Sequence, residues 1–283
     1  MPKYISQELK EAIVKHYKSK PMTIAQLVQH FKISNMSVIN ILNEYNIPRY
    51  NKAQLFSPNL DEKYFENIDT ENKAYFLGLI LTDGCIYTYP NHTKQQLVSI
   101  TLQKDDKYLI ENFIKDIKSN KTPTSDGRGC YGINILSDIM VNDLRKYGLH
   151  ERKSLTSIFP QNLPLNMYRH FIRGLIDGDG SIAFYNRKNR KVHRKAIRFC
   201  QGNKQFLEDM ISFLHNQLDV SIVTITKEKE HLYSCYWNKN SDLKKLIHYL
   251  YDDANIFMIR KKEKCDLIMQ ECLYYESIKG DII

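Results

Sequence analysis

Two nonapeptides constrain this chain more than any other feature. FLGLILTDG occupies residues 76–84 and IRGLIDGDG occupies residues 172–180. Both are apolar at helical spacing, both carry a glycine at the same offset (Gly78 and Gly174), and both end in Asp-Gly (Asp83-Gly84 and Asp179-Gly180). A mid-helix glycine costs about 1 kcal/mol relative to alanine. That cost is intelligible where a second backbone must come close, so the two helices are expected to pack on each other through Gly78 and Gly174. The terminal glycines read as C-caps. The aspartates are less ordinary. A carboxylate in the last turn faces the negative end of the helix dipole, at a cost of roughly 0.3–1 kcal/mol. Bringing two such ends together adds like-charge repulsion, and a hard divalent cation such as Mg²⁺, which prefers carboxylate, carbonyl and water oxygens, would relieve it.

The surroundings repeat as well. After each motif come two strand-like stretches, an amphipathic helix, strand-like residues and another helix, giving a helix-strand-strand-helix-strand-strand-helix order twice. Gln103 lies 20 residues after Asp83 and Gln201 lies 22 after Asp179; Lys153 and Lys261 follow the same aspartates by 70 and 82. A duplicated half-domain accounts for this and predicts a pseudo-two-fold axis within one chain. Ahead of the repeat, residues 7–20, 24–31 and 36–45 read as three short helices with N-caps at Thr23 and Ser34 or Asn35, the layout of a helix-turn-helix. Its last helix would offer Asn35, Ser37, Asn40 and Asn43 to a major groove. The expected division is a helix-turn-helix domain at 1–50, a linker at 51–70, and half-domains at 71–165 and 166–283.

Charge narrows the partner. The chain has a formal net charge of +9 and a pI near 9.0, which favours a polyanion, since lysine and arginine neutralise phosphates and release counterions. Residues 181–204 hold eight Lys/Arg and no Asp or Glu. With 42% hydrophobic and 26% charged residues the chain reads as soluble and globular. Its apolar runs are too short to span a bilayer, and MPKYISQELK lacks the apolar core of a secretory signal. An intracellular protein with no membrane partner is expected, its compartment left open. Six cysteines without a CxxC pair read as buried reduced thiols, and zinc is not expected.

The two motifs resemble the paired signatures of the LAGLIDADG homing endonucleases, in the monomeric form with both motifs in one chain. The resemblance covers about residues 70–275. Arg173 and Gly178 stand where the family has alanine, and Leu81 where an acidic residue is common. The resemblance implies an α+β fold: two pseudo-symmetric αββαββα half-domains with saddle-shaped antiparallel sheets, here with a small N-terminal all-α helix-turn-helix domain added. It implies a double-strand break with 3′ overhangs in a long asymmetric target. Two or three divalent ions, Mg²⁺ with Mn²⁺ or Ca²⁺ able to substitute in binding, would be held by Asp83 and Asp179. Lys153 and Lys261 would act near the scissile phosphates, and Gln103 and Gln201 would position water. Double-stranded DNA is the expected partner of a monomer. Strand residues after each motif are candidates for DNA contact: Tyr87, Tyr89, Gln95 and Gln96 in the first half, and Tyr185, Asn186, Arg187, Lys188, Arg190, Arg194 and Arg198 in the second. Two other readings share the scaffold, a DNA-binding regulator and an intron maturase that binds RNA.

Overall fold

The computed structural model describes residues 5–50, 55, 57, 59–89, 95–151, 153–186 and 193–280. The chain divides into two compact units: residues 1–61 with 114–121, and residues 62–113 with 122–283. In the first unit, helices α1 (Gln7–Ser19), α2 (Ile24–Phe31) and α3 (Asn35–Glu44) enclose Ile13, Tyr17, Leu27, Val38 and Leu42. The local signals for these helices are the ones read from sequence. Thr23 caps α2 in a reciprocal capping box with Gln26, and the Ser34 hydroxyl accepts the Ser37 N–H at 3.1 Å. Lys32 takes a left-handed conformation in the short turn between α2 and α3.

The second unit contains the duplication. Its first half runs α4 (Glu71–Asp83), β1 (Gly84–Thr88), β2 (Gln96–Gln103), α5 (Lys107–Asp116), β3 (Thr124–Ser125), β4 (Cys130–Leu136), α6 (Asp138–Lys146) and a one-turn α7 (Lys153–Thr156). Its second half runs α8 (Tyr168–Gly178), β5 (Ser181–Asn186), β6 (His193–Gln201), α9 (Lys204–Leu218), β7 (Thr226–Lys229), β8 (Leu232–Trp237), α10 (Asn240–Tyr251) and α11 (Ile259–Gly280). Each half forms a four-stranded antiparallel sheet, ordered β1-β2-β4-β3 and β5-β6-β8-β7. The αββαββα expectation holds in both.

Alternation places one face of each sheet in the core and leaves the other open. In β2, Val98, Ile100 and Leu102 are buried while Thr101 and Gln103 are exposed; in β6, Ile197, Phe199 and Gln201 are buried. Residues 62–69, placed in the expected linker, belong to the core. Tyr64 and Phe65 pack with Phe113, and Ile68 is 2% exposed. Their aromatic side chains bury too much apolar surface to stay in a solvated connection.

Helices α4 and α8 pack along their lengths, and the crossing lies at the two glycines. A Cβ on Gly78 would overlap the Phe171 carbonyl oxygen and stand 2.9 Å from the Leu175 nitrogen. A Cβ on Gly174 would overlap the Tyr75 carbonyl oxygen and stand 2.9 Å from the Leu79 nitrogen. The contacts are exchanged residue for residue, the mark of a two-fold relation between the halves. Gly84 is the C-cap of α4, as read in sequence, its N–H donating to the Ile80 carbonyl, whereas Asp179 takes that place in α8. Gly84 has φ −98°, an ordinary extended value, and Gly180 does not have positive φ. A Cβ on Gly84 would lie 2.7 Å from the Ser99 carbonyl oxygen, and one on Gly180 would lie 2.7 Å from Ile176 Cα. Close approach, not left-handed backbone, demands glycine there.

Alanine is the better helix former by about 1 kcal/mol, yet overpacking typically costs 1–3 kcal/mol. Here the obstacle is backbone. Gly78→Ala and Gly174→Ala are each expected to destabilise by about 2–3 kcal/mol in urea unfolding; a midpoint unchanged or raised would contradict the tight crossing.

Candidate active site at the paired helix ends

Because the crossing is close, the C-termini of α4 and α8 finish side by side. Asp83 is the last residue of α4 and Asp179 follows the last residue of α8. A Cβ on Gly178 would stand 2.8 Å from Asp83 Oδ2, so the carboxylate of one motif lies against the backbone of the other. Burial and the charge of Asp179 push Asp83 up to about 6. Burial also raises Asp179, against the pull of Lys153 and Lys261.

The two lysines answer this concentration of negative charge. Lys261 is 5% exposed, and its ammonium donates to the carbonyls of Ile176 (2.8 Å), Gly178 (2.9 Å), Gly180 (2.7 Å) and Asp177. Lys153, half-buried, donates to Ile80 (3.4 Å) and Thr82. Ile80 and Ile176 are equivalent motif positions, as are Thr82 and Gly178. Each lysine therefore donates to carbonyls at the C-terminal end of its own motif helix, where the dipole is negative. Burial pushes Lys261 down to about 8 and lowers Lys153, with the aspartates opposing.

The glutamines are not an equivalent pair. Cys85 faces Ser99 across the first hairpin and Ser181 faces Arg198 across the second. Gln103 lies four residues beyond Ser99, whereas Gln201 lies three beyond Arg198. A shift of one residue turns a side chain to the opposite face. Gln103 is exposed on the open face; Gln201 is 7% exposed on the core face, its side-chain oxygen accepting the Gly202 N–H at 2.7 Å. Ser99 follows Asp83 by 16 residues and Arg198 follows Asp179 by 19, so equivalent glutamines would differ by three in offset, whereas 20 and 22 differ by two. The sequence expectation for Gln201 is corrected on this point.

Gln96 is corrected for a related reason. It starts β2 on the core side, where its oxygen accepts from Arg145 at 2.5 Å and its N–H donates to Asp138 at 2.8 Å. Tyr87, Tyr89 and Tyr185 are exposed at 47%, 40% and 48%, and they alternate with core residues. Arg194 pairs across from Tyr185 on the open face, and Arg198 meets Glu228 at 2.8 Å beside Ser234. Lys195 turns inward to Glu271 at 3.1 Å. Arg187, Lys188 and Arg190 lie outside the described residues. In the first unit, Asn35 and Asn40 are exposed on α3, and Ser37 is half-buried, its hydroxyl 2.9 Å from that of Ser34. The open faces also hold Thr101 and Asn134 in the first sheet and Tyr236 in the second, which no spacing rule marked out. None of the six cysteines forms a disulfide, though Cys85 is exposed where burial was expected.

A cation would find two carboxylates here and few other donors. Among the described residues no group of three or more His, Cys, Asp or Glu is disposed to hold a metal. The donor set suits an oxygen-seeking divalent ion that completes its shell with water or phosphate.

Without such an ion the acids are poised against folding. A carboxyl raised above its unfolded value, about 3.9, binds its proton more tightly when folded. Asp83 therefore adds stability as pH falls from 7 through 6 towards 4, and withholds it at neutral pH. In EDTA at pH 7, Asp83→Asn is expected to melt about 2–4 °C above wild type, the shift that ~1 kcal/mol gives a domain of this size. The difference should vanish by pH 4. A variant that melts lower than wild type at pH 7 would remove the like-charge strain from the account.

Comparison with known proteins agrees with this architecture. The family model described as LAGLIDADG-like domain matches residues 166–250. No curated protein sequence matches the chain. Among solved structures, the LAGLIDADG meganuclease I-AabMI bound to uncleaved DNA superposes with a TM-score of 0.54 at 15% identity, covering 72% of this chain and 91% of its own. The I-LtrWI LAGLIDADG homing endonuclease bound to target DNA gives 0.54 at 12% identity, covering 75% and 92%. I-SmaMI bound to an uncleaved DNA target with calcium ions gives 0.53 at 14% identity, covering 73% and 92%. At these identities the likeness is one of fold. With two αββαββα halves joined through paired motif helices and a LAGLIDADG-like domain in its second half, this chain has the fold of the LAGLIDADG homing endonucleases.

Proposed function

We propose that the chain is a site-specific DNA endonuclease that makes a divalent-metal-dependent double-strand break, with 3′ overhangs, in a long asymmetric target. The observation that carries this reading is the meeting of Asp83 and Asp179 at the ends of two helices crossed at Gly78 and Gly174. Nothing in packing requires two acids at the negative ends of paired helix dipoles. Asp83 and Asp179 would hold Mg²⁺, which when bound would polarise the scissile phosphate and acidify water. The carboxylates orient that centre. Lys153 and Lys261 keep positive charge beside it, where the negative charge of a pentavalent phosphorus develops. Gln103, exposed at the end of β2, is disposed to orient a water. The Gln201 side-chain oxygen is already engaged by Gly202, so the second site lacks the same arrangement.

The open sheet faces supply the DNA-binding surface. Tyr87, Tyr89, Thr101 and Asn134 make the first neutral and polar. Tyr185, Arg194, Arg198 and Tyr236 make the second more basic, and Arg187, Lys188 and Arg190 lie between β5 and β6 in the sequence. Arginine pairs bidentately with guanine, and asparagine with adenine, so the half-sites should differ in sequence. The helix-turn-helix at 1–50 would add contacts through Asn35, Ser37 and Asn40 of α3, extending the bound DNA. We assign the halves to residues 71–165 and 166–283 and take the protein to act as a monomer. No helix among the described residues is long and apolar enough to cross a membrane.

The reading is tested by selecting cleaved sites from a randomised duplex library in Mg²⁺. Wild type should yield one long, non-palindromic site cut on both strands. Asp83→Asn and Asp179→Asn should each lower double-strand cleavage by at least about 10³-fold while retaining affinity for the site in Ca²⁺. Wild-type cutting by either variant would end the shared-metal proposal.

A further inference from the structure

The second half buries a polar network that the first half does not share. Asp177 is fully buried. It accepts the Tyr251 hydroxyl at Oδ1 (2.7 Å), and the Tyr75 hydroxyl (2.9 Å) and the Met258 N–H (2.7 Å) at Oδ2. One turn earlier, Arg173 donates to the carbonyls of Leu250 (2.7 Å) and Ile256 (2.8 Å) and to Glu71 (2.5 Å). Glu71 in turn accepts from the backbone N–H groups of Asn255 (2.8 Å) and Ile256 (3.3 Å). Tyr108 donates to the Phe257 carbonyl (2.7 Å) and accepts from Ile259 N–H (2.9 Å). Apart from the Tyr75–Asp177 and Arg173–Glu71 bonds, which link α4 to α8, these bonds converge on the strap between α10 and α11, residues 252–258, or on its edges.

What the strap carries is Lys261. The Met258 carbonyl accepts the Lys261 N–H at 3.0 Å, so the residue whose N–H Asp177 fixes also opens, through its carbonyl, the helix that bears the lysine. The Lys261 ammonium then returns to four carbonyls at the end of α8. In the first half the same motif positions are apolar, Leu81 for Asp177 and Leu77 for Arg173, and the counterpart of Tyr75 on the second motif helix is Phe171, which has no hydroxyl. Lys153 begins a one-turn helix, reaches two carbonyls and is less buried. The residues before it include an exposed ion pair between Arg145 and Glu151.

We propose that Asp177, held by Tyr75 and Tyr251, is a positioning group for Lys261 alone, and that the two strands of the duplex are therefore cut by unequally organised sites. The inference rests on the nuclease reading above. Removing one hydroxyl from the Asp177 cage loosens Met258 and the helix start behind it. Lys153 and its strand are left as they were.

The test is Tyr251→Phe in the full chain, assayed on a supercoiled plasmid carrying the selected site, with each strand followed separately. We expect cutting of one strand to fall about 10–100-fold, the order of loss that follows from displacing a group by about an ångström, while the other strand keeps its rate. Nicked circle should accumulate. The uncut strand should be the one that Lys261→Met leaves uncut, not the one left by Lys153→Met. Amide exchange should rise at residues 258–262 and stay unchanged at 155–157, a readout independent of cleavage. Equal slowing of both strands, loss of the strand assigned to Lys153, or unchanged rates and exchange would each overturn the proposal. Should Tyr251→Phe fail to fold, Tyr75→Phe removes the other hydroxyl and is judged by the same criteria. A wild-type chain that cuts neither strand would refute the nuclease reading, while the exchange result would still decide whether Asp177 positions the strap.

Discussion

Everything at the centre of this molecule depends on how closely two backbones approach at Gly78 and Gly174. Each glycine meets a carbonyl oxygen of the opposite helix where a methyl group would overlap it. At that separation the two helix ends cannot diverge before they finish, and the acids that follow are forced into one another's field. Asp83 then sits against Gly178 and feels both burial and Asp179. A wider crossing would leave two unremarkable C-terminal aspartates in water. The tight one makes a site that is uncomfortable without a cation.

The same geometry explains the lysines. Helix ends brought together pool their unpaired carbonyls as well as their acids, and burial strengthens each charge by lowering the local dielectric. Lys153 and Lys261 come from the segments that follow α6 and α10, and each returns to the end of its own half's motif helix. In this structure their ammonium groups cap carbonyls, while their charge bears on both aspartates. The two roles are compatible, because a group that holds the turn in shape also holds its own position.

Duplication has not kept the halves alike. Arg173 and Asp177 of the second motif, which stand where the first has Leu77 and Leu81, are buried and bonded rather than exposed. A buried arginine and a buried carboxylate survive only where donors and acceptors meet nearly all their needs. Glu71, Tyr75 and Tyr108 of the first half and the 252–258 strap of the second meet them, so these two residues also stitch the halves together. The sheets diverge similarly: one open face is neutral, the other carries Arg194 and Arg198.

Much of this was legible in the residues. The repeat, the helix and strand order, the caps at Thr23 and Ser34, and the paired Asp-Gly endings follow from local periodicity and spacing, which tertiary contacts did not override. The purpose of the mid-helix glycines was readable because glycine in that position has a known cost. Register was not. Whether Gln201 or its neighbour faces outward turns on a single residue in a hairpin, and a matched offset cannot resolve a shift of one. Nor could the core role of Tyr64 and Phe65 be seen in a stretch with weak periodicity, because their partner Phe113 is distant in the chain. Sequence alone thus determined which residues could do chemistry, since that depends on side-chain type and on spacing along an element. Only the tertiary structure decided which of them share one field and which face inward, because charge interaction and burial depend on distances between elements that no local pattern records.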